Sequence, residues 1–418
     1  MSRVSFFIVT RLTDILAYQL TLHTQCDHCR NTHSARRAQT LLTTMETLHS
    51  SKKTYVQPDL DCYRYVLTTM ARSRIPTVGG NIPSIFKSME DRVIFPDTAC
   101  FDAAIETLAN CARHSNSLDS EKYANAAESM LIRMEREQER SSESIIRLTS
   151  VAYTNVIRAL EFKNSKAAAE RANEILTKLE MDYASGDESM QPIKDSYLGT
   201  IHAYGNSNAQ YKFITANVVL QRMIAQYSEG NEAAKPDIFC FHAVIRACFR
   251  SPTISSSPMQ DKKALLLAIS TVQSMKNSNV HPTAKSYLLL LQCCSNLLPR
   301  GSVEQEKNLQ SIFRSCRKSG LVNKYVLAEF RSTVSTDTYH KEVVQDAPYF
   351  NCVKSLPETW TRNLGYRPRI RTAEHGIHKR NPIISVDAKV IASTASSDYR
   401  MRRRWSKTNQ KLLRGGRS

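Results

Sequence analysis

Residues 236–247 read Pro-Asp-Ile-Phe-Cys-Phe-His-Ala-Val-Ile-Arg-Ala, and the spacing within this stretch decides the fold. Aromatic Phe241 is followed by aliphatic Ile245 four residues later and by small Ala247 six residues later. These offsets place a wide apolar stripe on one side of a helix with 3.6 residues per turn. The stretch therefore predicts an amphipathic helix whose small residue lets a neighbouring helix approach closely.

The same register occurs six times along the chain, at intervals of 38 to 52 residues. A proline stands five residues before the aromatic in five of the six, and Leu148 takes its place in the other. The aromatic, aliphatic and small residues are, in order, Tyr63/Leu67/Thr69, Phe101/Ile105/Thr107, Tyr153/Ile157/Ala159, Tyr197/Ile201/Ala203, Phe241/Ile245/Ala247 and Tyr287/Leu291/Cys293. Self-similarity of this kind is typical of an array built from one helical unit.

A second helix follows each first one, marked by a Met-like residue with apolar residues three and seven positions earlier. The seven sets are Ala38/Leu42/Met45, Ile82/Phe86/Met89, Ala127/Leu131/Met134, Ala172/Leu176/Leu179, Ala216/Leu220/Met223, Ala268/Val272/Met275 and Leu309/Phe313/Cys316. Since there are seven second helices and six first ones, the helix at 35–48 implies a degenerate partner within residues 5–20.

A single hairpin cannot bury its own stripe, but stacked neighbours do. The sequence therefore predicts an all-α fold, an α-α superhelix or solenoid of stacked helical hairpins. With 12 Gly in 418 residues, sheet-rich folds with tight turns are disfavoured. We predict four segments: an N-terminal segment with a degenerate first repeat (1–57), about six repeats (58–345), a cap in which Trp360 docks on the last hairpin (346–365), and a basic, disordered tail (366–418).

The charge of +18 is concentrated at the C-terminus. Residues 360–418 hold fifteen Lys/Arg and three Asp/Glu, a net +12, while residues 58–359 are close to neutral. A basic cluster favours a nucleic-acid partner through counterion release. Within it, Trp405 among cations suits base stacking, so the predicted RNA-binding residues of the tail are Arg402, Arg403, Arg404, Trp405 and Lys407. A solvated tail serving solubility or targeting is the alternative.

The Pro-Asp junction, the Tyr/Phe-x-x-x-Ile/Leu-x-Ala helix and the Ala-to-Met second helix resemble the pentatricopeptide repeat over roughly residues 30–345. The related tetratricopeptide pattern of Trp, Leu-Gly and Tyr is missing. The resemblance implies a protein that binds single-stranded organellar RNA along a groove lined by the first helices. It also implies base contacts from the residue after each aromatic and from the residue four before it.

Transferred position by position, the resemblance gives six candidate pairs. They are Arg64 with Asp59, Asp102 with Asp97, Thr154 with Thr149, Leu198 with Ile193, His242 with Asp237, and Leu288 with Thr283. The family mostly pairs Thr, Ser or Asn with Asp or Asn, and none of the six pairs has that composition. We therefore expect a groove that holds RNA loosely, or a segment of another protein, instead of a one-base-per-unit code.

Catalytic signatures are missing from the sequence: it has no phosphate-binding glycine loop, no His-Glu-x-x-His and no Gly-x-Ser-x-Gly. The cluster His23, Cys26, His28, Cys29 and His33 has zinc-type ligands but falls within eleven residues, so we interpret it as a polar interhelical loop. We predict a protein that is not an enzyme, with no metal, cofactor or small-molecule substrate. No apolar run approaches the roughly 20 residues of a membrane span, so no membrane partner is expected.

Two hypotheses follow. The first is a non-catalytic RNA-binding repeat protein of a mitochondrion or plastid, acting in RNA processing, stability or translation. The second is a protein-interaction scaffold that uses the same groove, with the basic tail docking on a ribonucleoprotein assembly. The organellar location follows mainly from the resemblance, supported by an acid-poor, Ser/Thr-rich N-terminus, and a cytoplasmic location is the alternative.

Overall fold

A computed structural model describes residues 32–51, 57–73, 75–140, 146–249, 257–345 and 356–364. Within these ranges the regular elements are helices, and no strand is present. The first helices of the hairpins, called A helices below, are α2 Leu60–Arg72, α4 Thr98–His114, α6 Ser150–Leu160, α8 Lys194–Asn206, α10 Ile238–Ala247, α12 Ala284–Leu297 and α14 Lys324–Thr333. The second helices, called B helices, are α1 Thr32–Ser50, α3 Ile82–Asp91, α5 Ser117–Arg140, α7 Lys166–Ala184, α9 Lys212–Ser228, α11 Pro258–Ser274 and α13 Val303–Lys318.

The helices form two layers. Each A helix contacts the next A helix in an unbroken series from α2 to α14. The B helices from α5 to α13 each pack against the A helix of their own unit and against the A helix of the following unit. The predicted solenoid of stacked helical hairpins is therefore confirmed.

The core follows the predicted repeat register. Each of the six aromatic residues is the fourth residue of its A helix and is at most 7% exposed. The aliphatic residue four positions later is fully buried in every unit, and the small residue six positions later is buried as well. Each repeat thus buries the same three positions against its neighbours, as the 3.6-residue period requires.

The B helices bury the predicted residues too. All members of the seven sets from Ala38/Leu42/Met45 to Leu309/Phe313/Cys316 are buried. The predicted helix at 35–48 lies within α1, which packs on α2. Its expected upstream partner at 5–20 lies outside the described residues.

Within the layer of B helices, ion pairs join each of several helices to the next. Arg171 of α7 pairs with Glu128 of α5, and Lys262 of α11 pairs with Glu304 of α13. Arg222 of α9 is held by Glu180 of α7 through a bidentate contact. These three pairs connect adjacent repeats through their B helices.

One A helix was not recognised in the sequence. Helix α14 begins after Asn323, whose side chain accepts hydrogen bonds from the backbone N–H groups of Tyr325 and Val326. Leu327 occupies its aromatic position and Val322 its proline position. Because both marker residues are replaced, this unit does not match the pattern of a proline five residues before an aromatic residue.

The array ends in short helical segments, namely α15 Thr336–Tyr339, a π-helical turn at His340–Val344, and α16 Glu358–Thr361. Trp360 of α16 is 6% exposed and meets the Phe313 ring edge-on, with ring centroids 6.0 Å apart. The Arg317 guanidinium lies 4.6 Å from the Trp360 ring centroid, and the backbone N–H of Val322 donates to the carbonyl of Trp360. The indole therefore covers the end of α13.

Candidate nucleic-acid interface

The A helices share a solvent-exposed row. Counting the first helical residue as position 1, the buried aromatic is position 4, and position 2 lies about 200° away around the helix. Position 2 is exposed in all seven A helices. Its residues are Asp61, Ala99, Val151, Asp195, Phe239, Lys285 and Tyr325. We call the exposed surface that follows this row the A face.

The C-terminal part of the A face combines exposed aromatic rings with cations. Phe239 is 60% exposed and Tyr325 is 56% exposed. The Nζ of Lys324 lies 4.9 Å from the centroid of the Tyr325 ring, and Arg246 and Lys285 are also exposed. Aromatic rings stack on bases and cations attract phosphates, so this part of the face has the chemistry of a single-strand binding surface.

The N-terminal part of the A face has a different charge. Asp61 lies on it, and Asp102 and Glu106 of α4 are half-buried beside it. Arg64 is held by carboxylates on both sides, since it contacts Asp61 and donates to Asp97 at 2.6 Å. Carboxylates repel phosphate, which favours the C-terminal part of the face for a polyanion.

The predicted base-contacting residues at position 5 lie mostly between units. Thr154 is buried, donates to the carbonyl of Ser150 at 2.6 Å, and has the Ser196 hydroxyl 2.7 Å away. His242 is buried with its Nε2 2.8 Å from the hydroxyl of Ser286. Ser196 and Ser286 are both position 3 of the next A helix, so these polar groups form a seam between repeats.

His242 has no charge available for a phosphate near neutral pH. Burial, aided by the positive charges of Lys285 and Arg246, lowers the pKa of His242 to about 4. The neutral imidazole is therefore the form that shares a hydrogen bond with Ser286.

The second member of each predicted pair is the N-cap of its helix. Asp59 and Asp97 each accept a hydrogen bond of 2.9 Å from the backbone N–H three residues later, and Asp237 accepts one of 3.3 Å. Asp237 also accepts from Lys194 of the preceding A helix at 2.8 Å. Thr149 occupies the same place without such a side-chain cap. These residues hold helix starts, a role that the Asp-x-x-Cys spacing itself indicates.

Sequence reasoning missed Arg246, Lys324 and Tyr325 as members of the A face. For Lys324 and Tyr325 the signal was present in the Asn323 cap, which starts a helix and sets its register. Arg246 lies seven residues after Phe239, two turns further along the same face of α10.

Several predicted site residues lie outside the described residues. These are Arg402, Arg403, Arg404, Trp405 and Lys407 of the tail, and most of the His23 to His33 cluster. Within the residues that are described, no group of three or more His, Cys, Asp or Glu side chains is placed to hold a metal ion. The same residues contain no helix with the length and apolar character to cross a membrane.

No family profile matches the sequence, and no curated protein is similar to it. Among solved structures, the chain is similar to two crystal structures of the pentatricopeptide repeat protein PPR10 in complex with an 18-nt psaJ RNA element. Each is 13% identical to this chain, covers 75% of it, and has a TM-score of 0.22. The match covers 52% of each PPR10 chain, so this chain spans about half their length. The two-layer stack of hairpins defines the class as a helical-repeat protein.

Proposed function

We propose that this chain is a non-catalytic, pentatricopeptide-like repeat protein that binds single-stranded RNA on the A face, in RNA processing, stability or translation. The observation that carries the proposal is the exposed row that runs over seven adjacent A helices and gains aromatic rings and cations towards its C-terminal end. The basic sequence of residues 366–418 adds electrostatic affinity that does not depend on base sequence.

The burial of Thr154 and His242 supports loose binding over base reading. A base edge needs donors and acceptors that reach it, and these two side chains are engaged with the next repeat. Stacking on Phe239 and Tyr325 tolerates every base, because every base has a π face. We therefore propose weak sequence preference.

Fluorescence anisotropy with a mixed-sequence, 20-nucleotide single-stranded RNA tests the proposal on the full chain. The double variant Phe239→Ala/Tyr325→Ala is expected to bind at least about 30-fold more weakly, because each of the two stacked bases contributes about 1–3 kcal/mol. Leu266→Ala is the matched control, since Leu266 is equally exposed but lies on a B helix. Replacing Arg402, Arg403 and Arg404 by Gln is expected to weaken binding uniformly and to reduce its salt dependence.

Unchanged affinity of the Phe239/Tyr325 variant, together with loss of binding in the tail variant, would contradict RNA binding on the A face. That result would favour the second candidate, a protein-interaction scaffold. A specific observation supports this candidate: Ile214 and Val218 of α9, together with its N-cap residue Tyr211, are exposed apolar side chains. Crosslinking in the native cell, with identification of both RNA and peptides, separates the two candidates.

The organellar location is part of the same proposal. A fluorescent protein fused at the C-terminus of the chain is expected to co-localise with a mitochondrial or plastid marker. A diffuse cytoplasmic signal would contradict it.

A further inference from the structure

A cavity of about 760 Å³ opens at the C-terminal end of the A face. It lies between the starts of two adjacent A helices, α12 and α14, and is closed on one side by Asn363 and Leu364. Lys285 belongs to both features, since it is position 2 of α12 and also lines the cavity. The exposed row therefore meets the cavity at Lys285, beside the last A helix among the described residues.

One part of the cavity wall is basic and another part is apolar. Lys276, His281 and Lys285 line it, and none of the described residues around it is an Asp or Glu. The apolar part is made by Pro282, Leu321 and Leu364. Positive charge beside an apolar wall suits a ligand that has both an anionic group and a flat apolar ring.

The charged groups of the lining are side chains, and several N–H groups at the two helix starts are already engaged. Asn323 caps α14 by accepting from two backbone N–H groups, and Thr283 and Ser286 form a capping box at the start of α12. These backbone donors are already satisfied. Lys276 and Lys285 therefore supply the positive charge that attracts an anion, and the His281 ring adds nitrogen atoms for hydrogen bonds.

We propose that this cavity receives the terminal nucleotide of a single strand, with its phosphomonoester against Lys276, His281 and Lys285 and its base against the apolar wall. This inference rests on the proposed function, because the A face would deliver the strand to the cavity. A phosphomonoester has a charge of about −1.5 to −2 near neutral pH, whereas an internal phosphodiester has one negative charge. Two lysines and a histidine in a lining whose described residues include no Asp or Glu thus favour a strand end over the middle of a strand. The volume lies within the range of about 300–1,000 Å³ typical of small-ligand sites.

The test compares three 12-nucleotide RNAs of one sequence, with a 5′-phosphate, a 3′-phosphate or hydroxyl groups at both ends. Anisotropy is measured with the full chain at moderate salt. We expect one phosphorylated form to bind about tenfold more tightly than the hydroxyl form, equivalent to about 1.4 kcal/mol. The double variant Lys276→Gln/Lys285→Gln is expected to lose this preference. Both side chains are exposed, so the fold is retained, which circular dichroism checks.

Lys307→Gln is the matched control, because Lys307 is an exposed lysine on α13 outside the cavity. It should keep the preference for the phosphorylated strand. A phosphomonoester can belong to the end of a strand or to a free nucleotide. Competition with free adenosine monophosphate distinguishes these two ligands. Competition at micromolar concentration indicates a site for a free nucleotide, whereas competition only by phosphorylated strands indicates a strand end.

Equal binding of all three RNAs by the unaltered chain would overturn the inference and leave the proposed function standing. A preference that survives in Lys276→Gln/Lys285→Gln would also overturn it, since the phosphate would then bind elsewhere. Absence of RNA binding combined with nucleotide binding that the double variant loses would contradict the proposed function and place a nucleotide site in the cavity.

Discussion

At the residue scale, Asp102 is a mismatched position in the seam between repeats. Position 5 meets a serine at position 3 of the next A helix in two units, where Thr154 meets Ser196 and His242 meets Ser286. The corresponding partner of Asp102 is Ala152, which has no hydroxyl. Among the described residues, the buried Oδ1 of Asp102 has no hydrogen-bond partner. A carboxylate in this position is poorly solvated.

Asp102→Asn is therefore expected to stabilise the fold near neutral pH. Burial, and then the nearby charges of Glu106 and Asp97, raise the pKa of Asp102 to about 6. Because the unfolded chain loses this proton near pH 4, the free energy of unfolding falls as the pH rises from about 4 to 6. Urea unfolding should show a gain of about 1–2 kcal/mol at pH 7.5, discounted for partial exposure, and little gain at pH 4.

The exposed Glu121→Gln on α5 is the control for loss of one negative charge. An equal gain in both variants, or a gain for Asp102→Asn that is as large at pH 4 as at pH 7.5, would contradict the assignment to the buried carboxylate.

A second residue-scale feature links two of the repeat tyrosines, Tyr63 and Tyr153, to the preceding repeat. The hydroxyl of Tyr153 donates to Glu135 at 2.7 Å, and that of Tyr63 donates to Glu46 at 2.8 Å. Both glutamates follow directly after the buried methionine of a B helix. We expect Tyr153→Phe to cost about 1–2 kcal/mol in urea unfolding, because the bond has a charged acceptor.

Tyr227→Phe is its control, since Tyr227 is half-buried on α9 and outside this arrangement. If Tyr153→Phe is no more destabilising than Tyr227→Phe, the hydroxyl-to-carboxylate bond contributes nothing to the stacking of repeats.

At the element scale, the helix starts also join neighbouring repeats. Asp97 caps α4 and at the same time accepts from Arg64 of α2. Burial alone would raise the pKa of Asp97, but the backbone N–H of Cys100 and the Arg64 guanidinium outweigh it and hold the pKa below its usual value. Asp237 combines a cap on α10 with an ion pair to Lys194 of α8 in the same way.

Two substitutions at Asp97 separate these roles. Asp97→Asn keeps a capping side chain and loses the ion pair, so we expect a loss of about 1 kcal/mol. Asp97→Ala loses both and is expected to cost about 2 kcal/mol in urea unfolding. Equal losses in the two variants would mean that the cap contributes little, and the ion pair most, of the stabilisation by Asp97.

The sequence predicted the helices and their buried faces because period and burial are local properties. The aromatic at position 4 and the Met-like residue of the B helix recur at fixed offsets, and both are buried wherever predicted. The partners of position 5 were not predictable in the same way. Whether Thr154 faces solvent or Ser196 depends on how closely α6 and α8 approach, and no spacing within either helix fixes that distance.

At the scale of the whole molecule, the stability of each repeat depends on the repeats next to it. The A helices contact one another in series, so each unit is stabilised mainly by its two neighbours. At the last described unit, Trp360 packs on Phe313, which itself stacks on Phe330 with ring centroids 4.1 Å apart. The indole thus covers apolar surface at the end of the last described unit.

Trp360→Ala should therefore weaken one end of the array and not the whole. Removing a buried indole costs about 3–5 kcal/mol, and in a nearly one-dimensional stack this loss falls on the adjacent units. Hydrogen exchange is expected to quicken in α13 and α14 and to stay unchanged in α4 and α6. Trp405→Ala, in the tail, is the control and should leave the exchange of all these helices unaltered. Uniform acceleration from α4 to α14 would instead show a single cooperative unit, in which case every repeat, including the N-terminal ones, would depend on the docked indole.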